Sequence, residues 1–244
     1  MSAALRWAFD SFEEEVSKPD ADIDLTRAFA LLALHAQPDL DLERSIFEPL
    51  ERLCSGFRQR VSTLDSITGE LSGARRLESR AAALCSYLTA EGFQGCGRGE
   101  DEFYLADNSL LNRLLERRTG IPISLAVVYR HVGLAGGLQL WGANFPGYFM
   151  MGYGEGTEAG LLDAFTGRTA SANEAAEVLG QIFGFPVRLE PGWSSAPSLP
   201  NLVFLQRIVR NLQNVYDKNG SLSQAARLAQ YGQLLGPLVD RALR

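Results

Sequence analysis

The chain has 244 residues, 46% of them hydrophobic, enough for one large domain or one domain with a helical appendage. Acidic side chains outnumber basic ones 29 to 23 and the net charge is −6, which argues against nucleic acid as a partner, because phosphate binding needs clustered Lys and Arg. Met1 to Asp20 is acidic without a continuous apolar stretch, and the run Ala28 to Leu34 is too short to cross a bilayer, so a cytoplasmic protein without a signal peptide or membrane span is expected.

From Ile23 to about Leu88 apolar residues recur at helical spacing: Leu25, Phe29 and Leu32, then Phe47, Leu50 and Leu53, then Leu77, Ala81, Leu84 and Leu88. Asp24 and Asp41 precede two of these runs as helix starts. The pattern predicts a helical N-terminal layer, assigned to residues 1–100. The segment Glu91 to Asp101 carries Gly92, Gly95, Gly97 and Gly99 and reads as a hinge or an ordered loop before the next unit.

Residues 101–195 have a different character. Asn108 or Ser109 is placed to cap a helix with the stripe Leu110, Leu111, Leu114 and Leu115, which turns Arg113, Glu116, Arg117 and Arg118 toward solvent or a partner. Thr119-Gly120 ends it. A more apolar helix follows from about Pro122 to Val132, with Pro122 in the first turn, where its missing N–H costs nothing, and Gly133, Gly136 and Gly137 stop it. The runs Leu138 to Ala143, Tyr148 to Tyr153 and Gly160 to Phe165, divided by Pro146-Gly147 and Gly152 to Gly156, predict antiparallel strands packed on that helix. Ser171 and Glu174 have the spacing of a capping box before a further helix.

Residues 196–244 return to helical periodicity. Leu202, Leu205, Ile208, Val209 and Leu212 form one stripe, and Leu222, Ala225, Ala226, Leu228 and Ala229 begin another after Lys218-Asn219-Gly220. This helix hairpin is similar to a single tetratricopeptide repeat, and a lone repeat needs a core or another molecule to cover its face.

The blocks His35 to Leu40, Asn108-Ser109, Glu116 to Leu125, Asn144 to Gly147 and Leu162 to Phe165 carry a family resemblance. The chain resembles the transglutaminase-like, tetratricopeptide-containing family named after the enterobacterial invasion regulator Sir B. The resemblance implies an α+β fold: a helical N-terminal layer, a transglutaminase-like core with a buried helix on a small antiparallel sheet, and the C-terminal hairpin. It also implies a bacterial cytosolic protein. In the superfamily a Cys opens the buried helix, a His follows on one strand and an Asp on the next. Here no Cys stands at the helix start, Tyr148 takes the place of the His, and Asp163 alone remains; members of the family often carry Asn where this chain has Cys96.

What chemistry survives is limited by the missing base. Ser124 is the hydroxyl nearest the helix start, but a serine without a base is inert. His131 lies seven residues further along the same helix, roughly 10 Å of rise away. His35 belongs to the distant helical layer, and tyrosine, with a reference pKa of about 10, is a poor base at neutral pH. Three cysteines, Cys54, Cys85 and Cys96, have no C-x-x-C spacing, so no zinc site or disulfide framework is expected. The expectation is a non-catalytic scaffold or regulatory protein without metal or cofactor. It would bind an unidentified protein or peptide through its hairpin and a groove bordered by Asn108, Arg117, Arg118, Ser124 and Tyr148. The alternative is a residual hydrolase or acyl transferase using Ser124 or, less favoured, Cys96. Asp163 and Ser124 are expected to have plain structural roles, the first as an acceptor for Tyr148, the second bonded to a backbone carbonyl within its helix.

Overall fold

A computed structural model describes residues 2–68, 73–97, 99–143, 145, 147–189 and 199–243. The elements run α1 (Ala3–Val16), α2 (Leu25–Ala33), α3 (Glu48–Thr68), α4 (Gly73–Ala90), β1 (Gln94–Gly95), α5 (Glu100–Phe103), α6 (Leu111–Arg117), β2 (Thr119–Gly120) and α7 (Pro122–Ala135). After these come β3 (Trp141–Ala143), β4 (Met150–Tyr153), β5 (Gly160–Asp163), β6 (Arg168–Ala170), α8 (Ala172–Phe183), α9 (Asn201–Lys218) and α10 (Leu222–Ala242). The architecture is α+β. Two compact units are each assembled from separate segments: 1–49, 96–124 and 200–244 in the first, 50–95 and 125–199 in the second. Each of the three consecutive regions read from the sequence gives residues to both units.

The first unit is helical because its apolar stripes find one another. In α1 the stripe is Ala8, Phe12 and Val16, and Ser2 caps the start by accepting from the Leu5 N–H at 3.3 Å. Asp24 caps α2 through the Arg27 N–H at 2.9 Å, as its position in the sequence predicts. The rings of Phe9 and Phe12 meet Tyr231 edge-on at 5.1 and 4.9 Å. Helix α9 packs on α2, and α10 on α1 and α9, so the C-terminal hairpin is covered by the unit's own helices. Asp20 fixes the start of α9 from far away in sequence: its carboxylate accepts from the Asn201 and Leu202 N–H groups at 2.9 Å each, and its carbonyl accepts from Asn201 Nδ2 at 2.7 Å. These donors have no partner inside the helix, so the distant aspartate does what a local cap does elsewhere.

In the second unit most of α7 is buried: Leu125 to Tyr129 and Val132 are at most 1% exposed. The helix runs through Gly133, which therefore does not stop it as the sequence reading expects, and ends at Ala135. Gly136 follows because a Cβ there would lie 2.3 Å from a ring carbon of buried Phe57. The sheet has the order β3-β4-β5-β6, antiparallel throughout, with Trp141 opposite Gly152, Met151 opposite Leu162 and Leu162 opposite Thr169. The strands are shorter than the predicted runs, and β6 is a fourth strand that the sequence reading lacks. Helix α4 packs against β5 and β6, and α8 covers the same two strands. The capping box is present: Ser171 Oγ accepts from the Glu174 N–H at 3.2 Å, and Glu174 accepts from the Ser171 N–H at 2.7 Å. Asn144 and Pro146 of the expected motif lie outside the described residues. Among the described residues no helix is long and apolar enough to cross a membrane.

Candidate functional site

In the second unit the end of β5 holds Asp163, 4% exposed. Its carboxylate is engaged on both oxygens. Oδ2 accepts from the Tyr148 hydroxyl and from the Thr166 hydroxyl at 2.9 Å each, and Oδ1 accepts from the Phe165 N–H at 2.9 Å. The Asp163 carbonyl accepts from the Gly167 N–H at 2.9 Å. Asp163 thus closes the turn from β5 to β6, the local bonding that makes Asp common at turns. Tyr148, half-buried, packs with Ala143, Met150, Leu161 and Ala175 and points its hydroxyl at Asp163.

Two other protonated groups feel this carboxylate. Burial pushes the Cys85 thiol up to about 12, with Asp163 adding to the effect. Burial likewise raises the Tyr129 phenol, with Cys85 and Asp163 contributing. A thiol held that far above neutrality carries little thiolate, the form that acts as a nucleophile. Tyr129 is fully buried, whereas Trp141 is only half-buried.

The first unit holds the other expected positions. Asn108 caps no helix: α6 begins at Leu111, and Asn108 is fully buried in a 3-10 turn. Its amide nitrogen donates to the carbonyls of Glu102 at 2.7 Å and Phe103 at 3.2 Å, its side-chain oxygen accepts from Arg117 at 3.0 Å, and its carbonyl accepts from the Ile121 N–H at 3.3 Å. One asparagine thus ties together α5, the end of α6 and the entry to α7. Arg117 and Arg118 are half-buried rather than a solvated face. The helix ends one residue before the expected Thr119-Gly120, with Arg118 in the left-handed region at φ 58°.

Ser124 is fully enclosed, and among the described residues its hydroxyl has no hydrogen-bond partner, so the expected bond to a backbone carbonyl is not made. Asn108 and Ser124 therefore offer no surface to a partner, while Arg117, Arg118 and Tyr148 keep some. Ser124 belongs to the first unit, Tyr148 and Asp163 to the second. Burial holds His35 down to about 4, and its Nε2 pairs with the Tyr216 hydroxyl at 2.9 Å; His131 lies near Glu51 of α3. Cys96 is buried, its thiol raised first by desolvation. Among the described residues no group of three or more His, Cys, Asp or Glu is placed to hold a metal ion.

The sequence profile of the transglutaminase-like superfamily matches residues 44–210. The chain belongs to the transglutaminase-like superfamily. It is 30% identical over 228 residues to a UPF0162 protein of Xylella fastidiosa strain 9a5c, covering 92% of this chain and 76% of that protein. A UPF0162 protein of Pseudomonas aeruginosa is 28% identical over 218 residues, 87% of this chain and 78% of that protein. Mouse F-box only protein 21 is 31% identical over 130 residues, 51% of this chain and 21% of its own length. No solved structure matches.

Within this superfamily frame the sequence reading missed two groups. Thr166 was findable, because Thr166-Gly167 after Asp163 has the composition of a turn, where Asp and Thr side chains bond locally. Cys85 had no signal, since α4 meets β5 and β6 only in the folded unit.

Proposed function

We propose that this chain is a non-catalytic transglutaminase-like protein that acts by binding a protein or peptide partner in the cytoplasm, as a member of the tetratricopeptide-containing family named after Sir B. The observation that carries the reading is the saturation of Asp163. The carboxylate that would orient a histidine in a reacting triad instead accepts from a phenol, a threonine hydroxyl and an amide. The hairpin α9–α10 and the half-buried Arg117 and Arg118, all of the first unit, supply the binding surface in this reading; a fold retains shape after losing chemistry, and shape suffices for binding.

Complementation of a deletion strain with Ser124→Ala, paired with thermal melts, tests it. The expected outcome is full function with unchanged or raised melting temperature, because the variant removes a buried hydroxyl that lacks a partner. Loss of function at an unchanged melting temperature overturns the scaffold reading. The second reading, a hydrolase or acyl transferase at Ser124, draws on that same unengaged hydroxyl. Covalent labelling of Ser124 in the native protein by a fluorophosphonate would establish it.

A further inference from the structure

Helices α3 and α4 of the second unit both reach the end of α7: a Cβ on Gly133 would lie 3.1 Å from Leu84, and one on Gly136 2.3 Å from Phe57. Two contacts join their flanks. Tyr87 lies against Gly56, where an added Cβ would come 2.3 Å from its hydroxyl, and Arg60 donates to the Ser86 hydroxyl at 3.1 Å. Along these flanks runs an open furrow of about 850 Å³. From Gly56 to Ile67 it is about 16 Å long by helical rise, roughly three turns of a helix. Leu64, Ile67, Ala82 and Ala83 give it an apolar lining. Among the described residues no large apolar side chain is more exposed than Ile67, at 78%, and apolar surface gathered in a hollow marks an interaction site. Two opposite charges stand in the same furrow, Arg60 and Glu91. Among the described residues neither has an ion-pair partner: Arg60 bonds only the neutral Ser86 hydroxyl, and the Glu91 carboxylate bonds nothing.

We propose that this furrow receives an amphipathic helix of a partner protein, one that carries an acidic and a basic residue about one turn apart beside its apolar stripe. Shape and charge both set this choice. The furrow is open along its length, so an occupant keeps one side in water, which suits a helix with one apolar face and not a wholly apolar ligand. The Glu91 N–H still bonds the Tyr87 carbonyl at 2.9 Å, so the helical rise extends to Glu91. From Ser86, which Arg60 touches, to Glu91 that rise is about 7 Å. An acid and a base at i and i+4 span nearly the same distance on an incoming helix, so one helix answers both charges. A carboxylate on an apolar chain pairs Arg60 and leaves Glu91 unanswered. A second copy of this face is a hollow as well, and two hollows do not fill one another. The site draws only on residues of the second unit, so it does not rest on the surface proposed above.

The probe is a fluorescein-labelled model helix of about 16 residues, with leucines on one face and a Glu and a Lys at i and i+4 beside them. Anisotropy titration with the full chain reads its binding. The expected result is saturable one-to-one binding with a dissociation constant of about 50 µM or tighter. Ile67→Ser and Arg60→Glu each weaken it by about tenfold or more. Against Arg60→Glu, a peptide with Lys in place of its Glu binds about threefold or more tighter than the original peptide, since it restores the ion pair with reversed sign. Thermal melts separate binding from folding; should Arg60→Glu lower the melting temperature, Arg60→Gln, which keeps a donor for Ser86, takes its place with the same expected loss. No binding by the wild-type chain at about 200 µM, equal affinity for a peptide with Gln in place of both charges, or indifference to the Arg60 and Ile67 exchanges overturns the proposal. So does dodecanoate that displaces the labelled peptide at a lower concentration than unlabelled peptide does, or sedimentation that shows a dimer dissolved by Ile67→Ser, because each assigns the furrow to another occupant.

Discussion

The Tyr148 hydroxyl donates to Asp163 Oδ2 at 2.9 Å, so a phenol is a direct partner of a buried carboxylate. Thr166 donates to the same oxygen, which makes the pair of hydroxyls one network rather than two independent bonds. Tyr148→Phe removes one donor and leaves the ring volume, and it should cost about 1.5 kcal/mol by urea unfolding, the usual worth of a bond to a charged group. A cycle with Thr166→Val should show coupling, because the two donors share an acceptor. Tyr148→His alone should yield no hydrolase or transamidase activity, since Cys85 stays a protonated thiol and Ser124 has no base. Turnover by that single variant would refute this account of the site.

Arg117→Glu is a stability variant before it is a binding variant. The sequence pattern places Arg117 on a solvated face, where charge reversal is cheap, but its guanidinium donates to the fully buried Asn108 side chain at 3.0 Å. A carboxylate in its place meets the Asn108 oxygen with no donor, so a buried acceptor loses its partner. We expect a loss of about 2–3 kcal/mol for Arg117→Glu and a smaller one for Arg117→Lys, which keeps a donor. Equal melting temperatures for wild type and Arg117→Glu would show that the Asn108 contact is dispensable.

These two residues show where sequence reasoning reaches and where it stops. The buried helix α7, the antiparallel sheet, the Ser171 capping box and the terminal hairpin were readable because each is announced by local chemistry: an apolar run after a proline, glycine-marked turns, a Ser-x-x-Glu spacing. Strand β6 was not, because Arg168-Thr169-Ala170 is too short and polar to signal a strand and exists through its pairing with β5. Helix α1 falls inside the expected helical layer but was not delineated, because its narrow stripe of Ala8, Phe12 and Val16 among acidic residues gains meaning only once α2 and α10 cover it. Asp20 capping α9 has no sequence signature, since cap and helix are 181 residues apart. Asn108 looked like a helix cap because caps and loop-stitching asparagines share one residue type; only the carbonyls of Glu102 and Phe103 distinguish the two roles.

Acid should weaken the first unit through His35. Burial, chiefly, and the nearby charge of Arg227 lower its pKa from 6.5 to about 4, against the opposing pull of its bond to the Leu32 carbonyl. The folded protein therefore binds fewer protons at this site than the unfolded chain between those two values. Stability present above 6.5 is lost as pH falls through that window and levels off below about 4. The full effect is about 3 kcal/mol, because each tenfold loss of proton affinity on folding is worth about 1.4 kcal/mol. Urea unfolding at steps from neutral to mildly acidic pH, with His35→Gln as reference, isolates the histidine's contribution, because carboxylates titrate alike in both proteins. The variant is less stable at neutral pH but should have a shallower slope; parallel slopes would mean that His35 takes up its proton without loss of the fold.

Two glycines one turn apart in α10 should answer alanine differently. A Cβ on Gly232 meets nothing closer than 3.7 Å, ordinary contact with Gln213, and the backbone is helical. Gly232→Ala should therefore stabilise by up to about 1 kcal/mol, the difference in helix propensity, partly through fewer unfolded conformations. Gly236 has even more room, with nothing within 4 Å of the added atom. It precedes Pro237 inside the helix, however, and the proline ring presses on the Cβ of a preceding residue held in helical conformation. That crowding offsets the propensity gain, so Gly236→Ala should be neutral or destabilising despite the open space around it. Thermal melts of the two single variants decide the matter: equal stabilisation by both would show that Pro237 places no demand on Gly236.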